Sequence, residues 1–189
     1  MSEKSLNDIL IKHIQNIEII NWAIIPPTPN ITTTSSQKLL KKANIDEKNW
    51  GNNITGQNTC QWTTKLSEDL VRFILERNGH KVWKPKKING FCPDWESNDF
   101  IYEVKCRNWT TSGTIGDKVY GVPYKYSDVP RLYNKPLKII CVAYQEYELT
   151  HNNNKIFSDD ISLEKKNILK FWKNMHIEFI PFSQLLRIT

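Results

Sequence analysis

The sequence predicts an α/β sandwich built on a mixed sheet, and three observations carry that prediction. Residues 63–79 hold a wide helical stripe of apolar side chains, residues 100–105 alternate faces with a period of two, and residues 137–144 (LKIICVAY) form an unbroken apolar run. A strand needs such a run only when both of its faces are buried, so residues 137–144 belong at the centre of a sheet covered on each side. At 189 residues and 39% apolar composition the chain has material for one core, and a single compact domain is expected. Within it, residues 1–58 read as an N-terminal helical extension and linker, and residues 59–189 as the core.

Each element has its own local signal. Leu6, Ile9, Leu10, Ile14 and Ile17 recur at spacings of three and four, which predicts an amphipathic helix over residues 3–21, stopped by Pro26-Pro27-Thr28-Pro29. A short helical pattern spans residues 37–43, and residues 45–59, rich in Asn and Gly, read as loop. Over residues 63–79 Leu66, Leu70, Val71, Ile74 and Leu75 define one helix face, with Thr64 as the expected N-cap and Asn78-Gly79 as the stop. Residues 81–84 and 91–95 predict two short strands, and Glu96-Ser97-Asn98-Asp99 a turn into the alternating strand 100–105. A polar, partly helical crossover leads to the apolar strand. Asp160 is the expected cap of a helix reaching about Asn174, before a strand at 177–180 and a terminal helical turn over 182–187.

Composition excludes several classes. No apolar run approaches the roughly 20 residues that cross a bilayer, and Glu3, Lys4, Asp8 and Lys12 interrupt any leader-like segment, so a soluble, intracellular protein without membrane association is expected. Cys60, Cys92, Cys106 and Cys141 show neither zinc nor disulfide-framework spacing and read as reduced thiols. No Gly-rich phosphate loop or nucleophile elbow is present, so no nucleotide cofactor is expected. The net charge of +6 is concentrated: residues 81–138 hold 11 Lys and Arg against 6 Asp and Glu. That field attracts a polyanion.

The same region carries the chemistry. Alternation places Glu103 and Lys105 on one face of their strand, and hairpin pairing brings Asp94 close to Glu103. Two adjacent carboxylates repel unless a cation lies between them, and oxygen-only ligation favours Mg2+ or Mn2+. Lys105 cannot ligate a metal but can meet a phosphate oxygen or help water attack. Glu68 continues the apolar stripe of Val71 and Leu75, which makes it a candidate third ligand; the competing reading is an acid complementing the dipole in a first helical turn. For phosphate contacts the candidates are Lys84, Lys86, Lys87, Arg107, Lys118, Lys125 and Arg131. Gln61, Trp109 and Thr110 join them as candidate DNA-binding residues.

Glu68 on a helix closed by Gly79, then Pro93-Asp94, then Glu103-Val104-Lys105, resembles the PD-(D/E)XK nuclease superfamily. The segments QNTCQWTTKLSEDLV (57–71) and EVKCRNWTTSGTIGDKVYGVPYKYSDVPRLYNKPLKIICVAYQE (103–146) further resemble small type II restriction endonucleases. The resemblance implies a restriction-endonuclease-like core: helix, three-stranded β-meander, crossover, strand, helix and strand. It also implies Mg2+-dependent hydrolysis of phosphodiester bonds in double-stranded DNA at a short specific sequence, by metal-activated water, with Mn2+ able to substitute. Asp94 and Glu103 would be metal ligands, the Val104 carbonyl a further ligand, Lys105 the catalytic lysine and Glu68 the accessory acid. A palindromic site would be read by a homodimer, for which the helix at 3–21 is a plausible element. Two other functions fit the same residues: a structure-specific repair or recombination nuclease, and a DNA-binding module without catalysis.

Overall fold

The structure is a computed structural model and describes residues 17–26, 37–57, 61–110, 114–152 and 155–186. It is α/β. Helices α1 (Ile17–Ile24), α2 (Gln37–Thr55) and α3 (Trp62–Arg77) precede strands β1 (Trp95–Glu96) and β2 (Ile101–Arg107). A helical crossover follows, made of a 3-10 segment (Thr114–Gly121), α4 (Val122–Lys125) and α5 (Val129–Tyr133). The chain then forms β3 (Leu137–Ala143), α6 (Tyr144–His151), α7 (Leu163–Asn174), β4 (Ile177–Pro181) and α8 (Phe182–Leu185).

The four strands lie in the order β1-β2-β3-β4. β1 pairs with β2 antiparallel, and β2 with β3 and β3 with β4 parallel, so the expected mixed sheet is present with β3 inside it. Leu137, Ile139, Ile140, Cys141 and Val142 are fully buried, which accounts for the continuous apolar run. Period-two alternation sorts β2 as expected: Tyr102 and Val104 join one apolar cluster with α1, α3 and α8, and Ile101 joins another with the crossover, Leu149 and Ile177.

Several expectations need correction. Residues 45–55, read as loop, are the second half of α2. Tertiary packing overrides the weak propensities of Asn and Gly there: Gly51 lies so close to Trp62 that an added Cβ would sit 2.0 Å from its ring, and Trp50 and Trp62 meet at 6.1 Å. Thr64 does not cap α3, which starts at Trp62 after Gln61 and has no side-chain cap. Its stop is as expected, with Asn78 N–H donating to Ile74 O and Gly79 at φ +87°. Ser162 rather than Asp160 caps α7, accepting Lys165 N–H at 3.3 Å. Asp160 pairs instead with Lys155 at 2.5 Å.

The meander is also shorter than expected. Residues 81–84 contribute one bridge, Trp83 with Glu96, closed by two 2.9 Å hydrogen bonds. Pro85 and Pro93 have no N–H to extend a ladder. Between them Ile88 and Phe91 close a tight turn in which Asn89 and Gly90 both have positive φ (49° and 85°), the signature of a type I′ hairpin. Most of the helix expected at 3–21, Cys60, residues 111–113 and Arg187 lie outside the described residues.

Candidate active site

Three segments meet at the N-terminal half of β2. Asp94, just ahead of β1, donates its backbone N–H to Tyr102 O at 3.0 Å, and its Oδ2 accepts the Val104 N–H at 2.7 Å. The carboxylate is thus fixed to the strand that carries Glu103 and Lys105. Glu103 is 4% exposed; its Oε1 accepts Lys105 Nζ at 2.6 Å. The same ammonium donates to the Val104 carbonyl at 3.3 Å.

On the other side of Asp94, the Glu68 carboxylate projects from the middle of α3 and accepts Lys84 Nζ at 3.1 Å. No acidic residue stands in the first turn of α3, so dipole complementation does not account for Glu68. Lys84 also lies 4.1 Å above the Trp95 ring, and Trp95 Nε1 donates to Glu68 O at 2.9 Å. Beside this group a cleft of about 230 Å³ opens, bounded by Gln57, Gln61, Thr64, Lys65, Glu68 and Lys84 among others.

The electrostatics follow from this crowding. Burial, and then the charge of Glu103, raise the Asp94 carboxyl above its ordinary pKa, against the pull of the Val104 N–H and Lys105. Burial, and then Asp94, raise Glu68, against Lys84. Tyr126, from the end of α4, is raised by burial and then by Glu103 and Asp94, which places its phenol beside the acids. Nothing in the sequence around Tyr126 signals this position, since only the folded crossover brings it to β2. Burial also pushes the Cys106 and Cys141 thiols well up, so neither serves as a thiolate nucleophile.

Do these residues suit a divalent cation? Glu103 Oε2 is buried without a hydrogen-bond partner among the described residues. Leaving such an oxygen unsatisfied costs about 1–3 kcal/mol or more, and a hard cation is the partner that suits it. Among the described residues no three His, Cys, Asp or Glu side chains gather closely enough to hold an ion by themselves. The donor set on offer is therefore the Asp94 and Glu103 carboxylates with the Val104 carbonyl, an oxygen set of the kind Mg2+ and Mn2+ accept when water completes the shell.

The expected DNA-binding residues divide in two. Lys84, Lys86, Lys87, Lys118, Lys125 and Arg131 are exposed, as is Gln61 at the cleft. Tyr133 Oη donates to Lys86 O at 2.7 Å and to Phe91 O at 3.2 Å, tying the crossover that carries Lys125 and Arg131 to the turn that carries Lys86 and Lys87. Arg131 also pairs with Asp128 at 2.9 Å. Arg107 stands differently: it is 6% exposed, bonds Glu148 at 2.9 Å and packs its guanidinium over Tyr144 at 4.7 Å. Trp109 and Thr110 are likewise turned inward, both held by Glu47, with Trp109 Nε1 donating to Trp22 O at 2.7 Å. These three anchor the end of β2 to α1, α2 and α6 instead of lining an open groove.

No protein-family model matches the chain, and no curated protein or solved structure matches it. Among the described residues no helix is long and apolar enough to cross a membrane.

Proposed function

We propose that the chain is a Mg2+-dependent deoxyribonuclease with a restriction-endonuclease-like core of the PD-(D/E)XK kind, cleaving double-stranded DNA at a short specific sequence. The observation that carries this reading is the pairing of Asp94 with Glu103 beside the Lys105 ammonium, with one buried Glu103 oxygen unsatisfied. Asp94, Glu103 and the Val104 carbonyl would hold the ion, which when bound supplies Lewis-acid activation of water and offsets charge on the reacting phosphate. Lys105, carried two residues beyond Glu103 on the same face, brings its ammonium to a non-bridging phosphate oxygen and stabilises the charge that grows there during in-line attack. Asp94 is kept from swinging by the Val104 N–H, so the acids are oriented before substrate arrives. Exposed Lys86, Lys87, Lys125 and Arg131 form a basic rim suited to the phosphate backbone, and a two-fold homodimer would present two such sites to a duplex.

Incubating the protein with a sequenced plasmid in Mg2+, in Mn2+ and in EDTA tests the reading. Discrete limit fragments in Mg2+ or Mn2+, absent in EDTA and from the Asp94→Ala variant, are expected. Cleavage confined to branched or damaged DNA would move the assignment to a structure-specific nuclease. Binding without cleavage under every condition would leave only a DNA-binding module.

A further inference from the structure

Five charged groups run in a row across the site: Lys84 on Glu68, then Asp94, then Glu103 on Lys105. The two lysines reach the acids from opposite ends. Lys105 belongs to the reacting strand itself, whereas Lys84 comes from the segment that bridges β1 and is held above Trp95. Asp94 lies close enough to raise the Glu68 carboxyl, and Lys84, paired with Glu68 at 3.1 Å, supplies the compensating positive charge.

Resting on the function proposed above, we infer that the Lys84 ammonium occupies the place of a second cation, so that the site takes one divalent ion and not two. Three carboxylates and two ammonium groups leave the row one charge short of neutral. A single divalent ion at Asp94 and Glu103 carries it to one positive charge; a second ion would carry it to three in a half-buried site, against like-charge repulsion that water screens poorly there. Lys84 also has reason to stay: a cation over an aromatic face is stabilised in addition to its ion pair. Its side chain is 55% exposed, so replacing it leaves the core intact.

Mn2+ titration of the metal-free protein by calorimetry, paired with electron paramagnetic resonance, tests this without reference to cleavage. The parent and Lys84→Arg are expected to bind one ion per chain, and Lys84→Gln two, the second more weakly and with the line broadening of a coupled Mn2+ pair. Adding Glu68→Gln to Lys84→Gln should return the count to one. Two ions in the parent, or one in a folded Lys84→Gln variant, overturns the inference while leaving the nuclease reading in place. No ion in any variant removes the metal site itself, and the inference with it. Circular dichroism melts of each variant establish that it is folded.

Discussion

β2 presents two unlike faces. Tyr102 and Val104 press into the apolar cluster under α1, α3 and α8, while on the opposite face Ile101 gives way to Glu103, Lys105 and Arg107 in succession. Both faces are largely buried, yet only one carries charge. The apolar face holds the strand by burial that no single polar contact decides, and this rigidity lets the charged face keep Glu103 at 4% exposure, paired with the Lys105 ammonium and beside the Tyr126 phenol. Within the charged face the residues divide again: Glu103 and Lys105 meet Asp94, while Arg107, one step further along, is closed off by Glu148 and Tyr144.

The largest effect expected from breaking this contrast is on the charged face. Lys105→Ala should lower plasmid cleavage by on the order of 10²-fold or more, and should lower the melting temperature of the metal-free protein because buried Glu103 loses its partner; Mg2+ should recover part of that loss. A variant that cleaves at the parental rate would remove Lys105 from the chemistry. On the apolar face, Trp62→Ala should cost about 3–5 kcal/mol in urea unfolding, with cleavage per folded molecule unchanged. Its ring is 2% exposed and lies against Trp22, Trp50 and Gly51, so the cavity cannot collapse easily.

Arg107→Ala tests the division within the charged face. It should destabilise the fold by about 3 kcal/mol through the stranded Glu148, and leave the salt dependence of DNA binding as it was. A phosphate contact would instead reduce the slope of log K against log salt by about one. The smallest expected effect is on stability alone, in the melting temperature of metal-free Asp94→Asn, a variant that should not cleave. The Asp94 pKa is raised in the folded state, so its ionised form opposes folding above the ordinary carboxylate range; the opposition fades as pH falls from the raised folded value towards about 4 and is gone below it. Asn keeps an oxygen for the Val104 N–H. The variant should therefore melt higher than the parent at pH 7 without metal, and the two should converge near pH 3.5.

The elements legible in the sequence are those whose pattern is dictated by burial: the α3 stripe, the alternating β2, the apolar β3 and the strand after α7. Asp94, Glu103, Lys105 and Glu68 could be gathered from spacing because a hairpin and a helix face each obey a fixed period. Arg107 could not be sorted from the exposed bases, since the residue that buries it, Glu148, is 41 positions away. The second half of α2 was hidden for the same reason: Trp50, Gly51 and Ile54 are helical because of what Trp62 does across the interface. Lys84 carried only its charge in the sequence, and its place on Glu68 depends on a single bridge at Trp83 and on the Trp95 ring.

The parallel pairing of β2 with β3 joins Ile101 to Leu137 and Glu103 to Ile139, partners 36 positions apart in each case. Such pairing must close a long loop before any ladder bond compensates for the lost chain entropy. A nascent chain that has released Asp94, Glu103 and Lys105 from the ribosome has therefore not yet assembled them into a working unit. The three side chains share one ordered sheet only once the segment through Ala143 has emerged and docked, so their assembly waits on a stretch of chain that carries none of them.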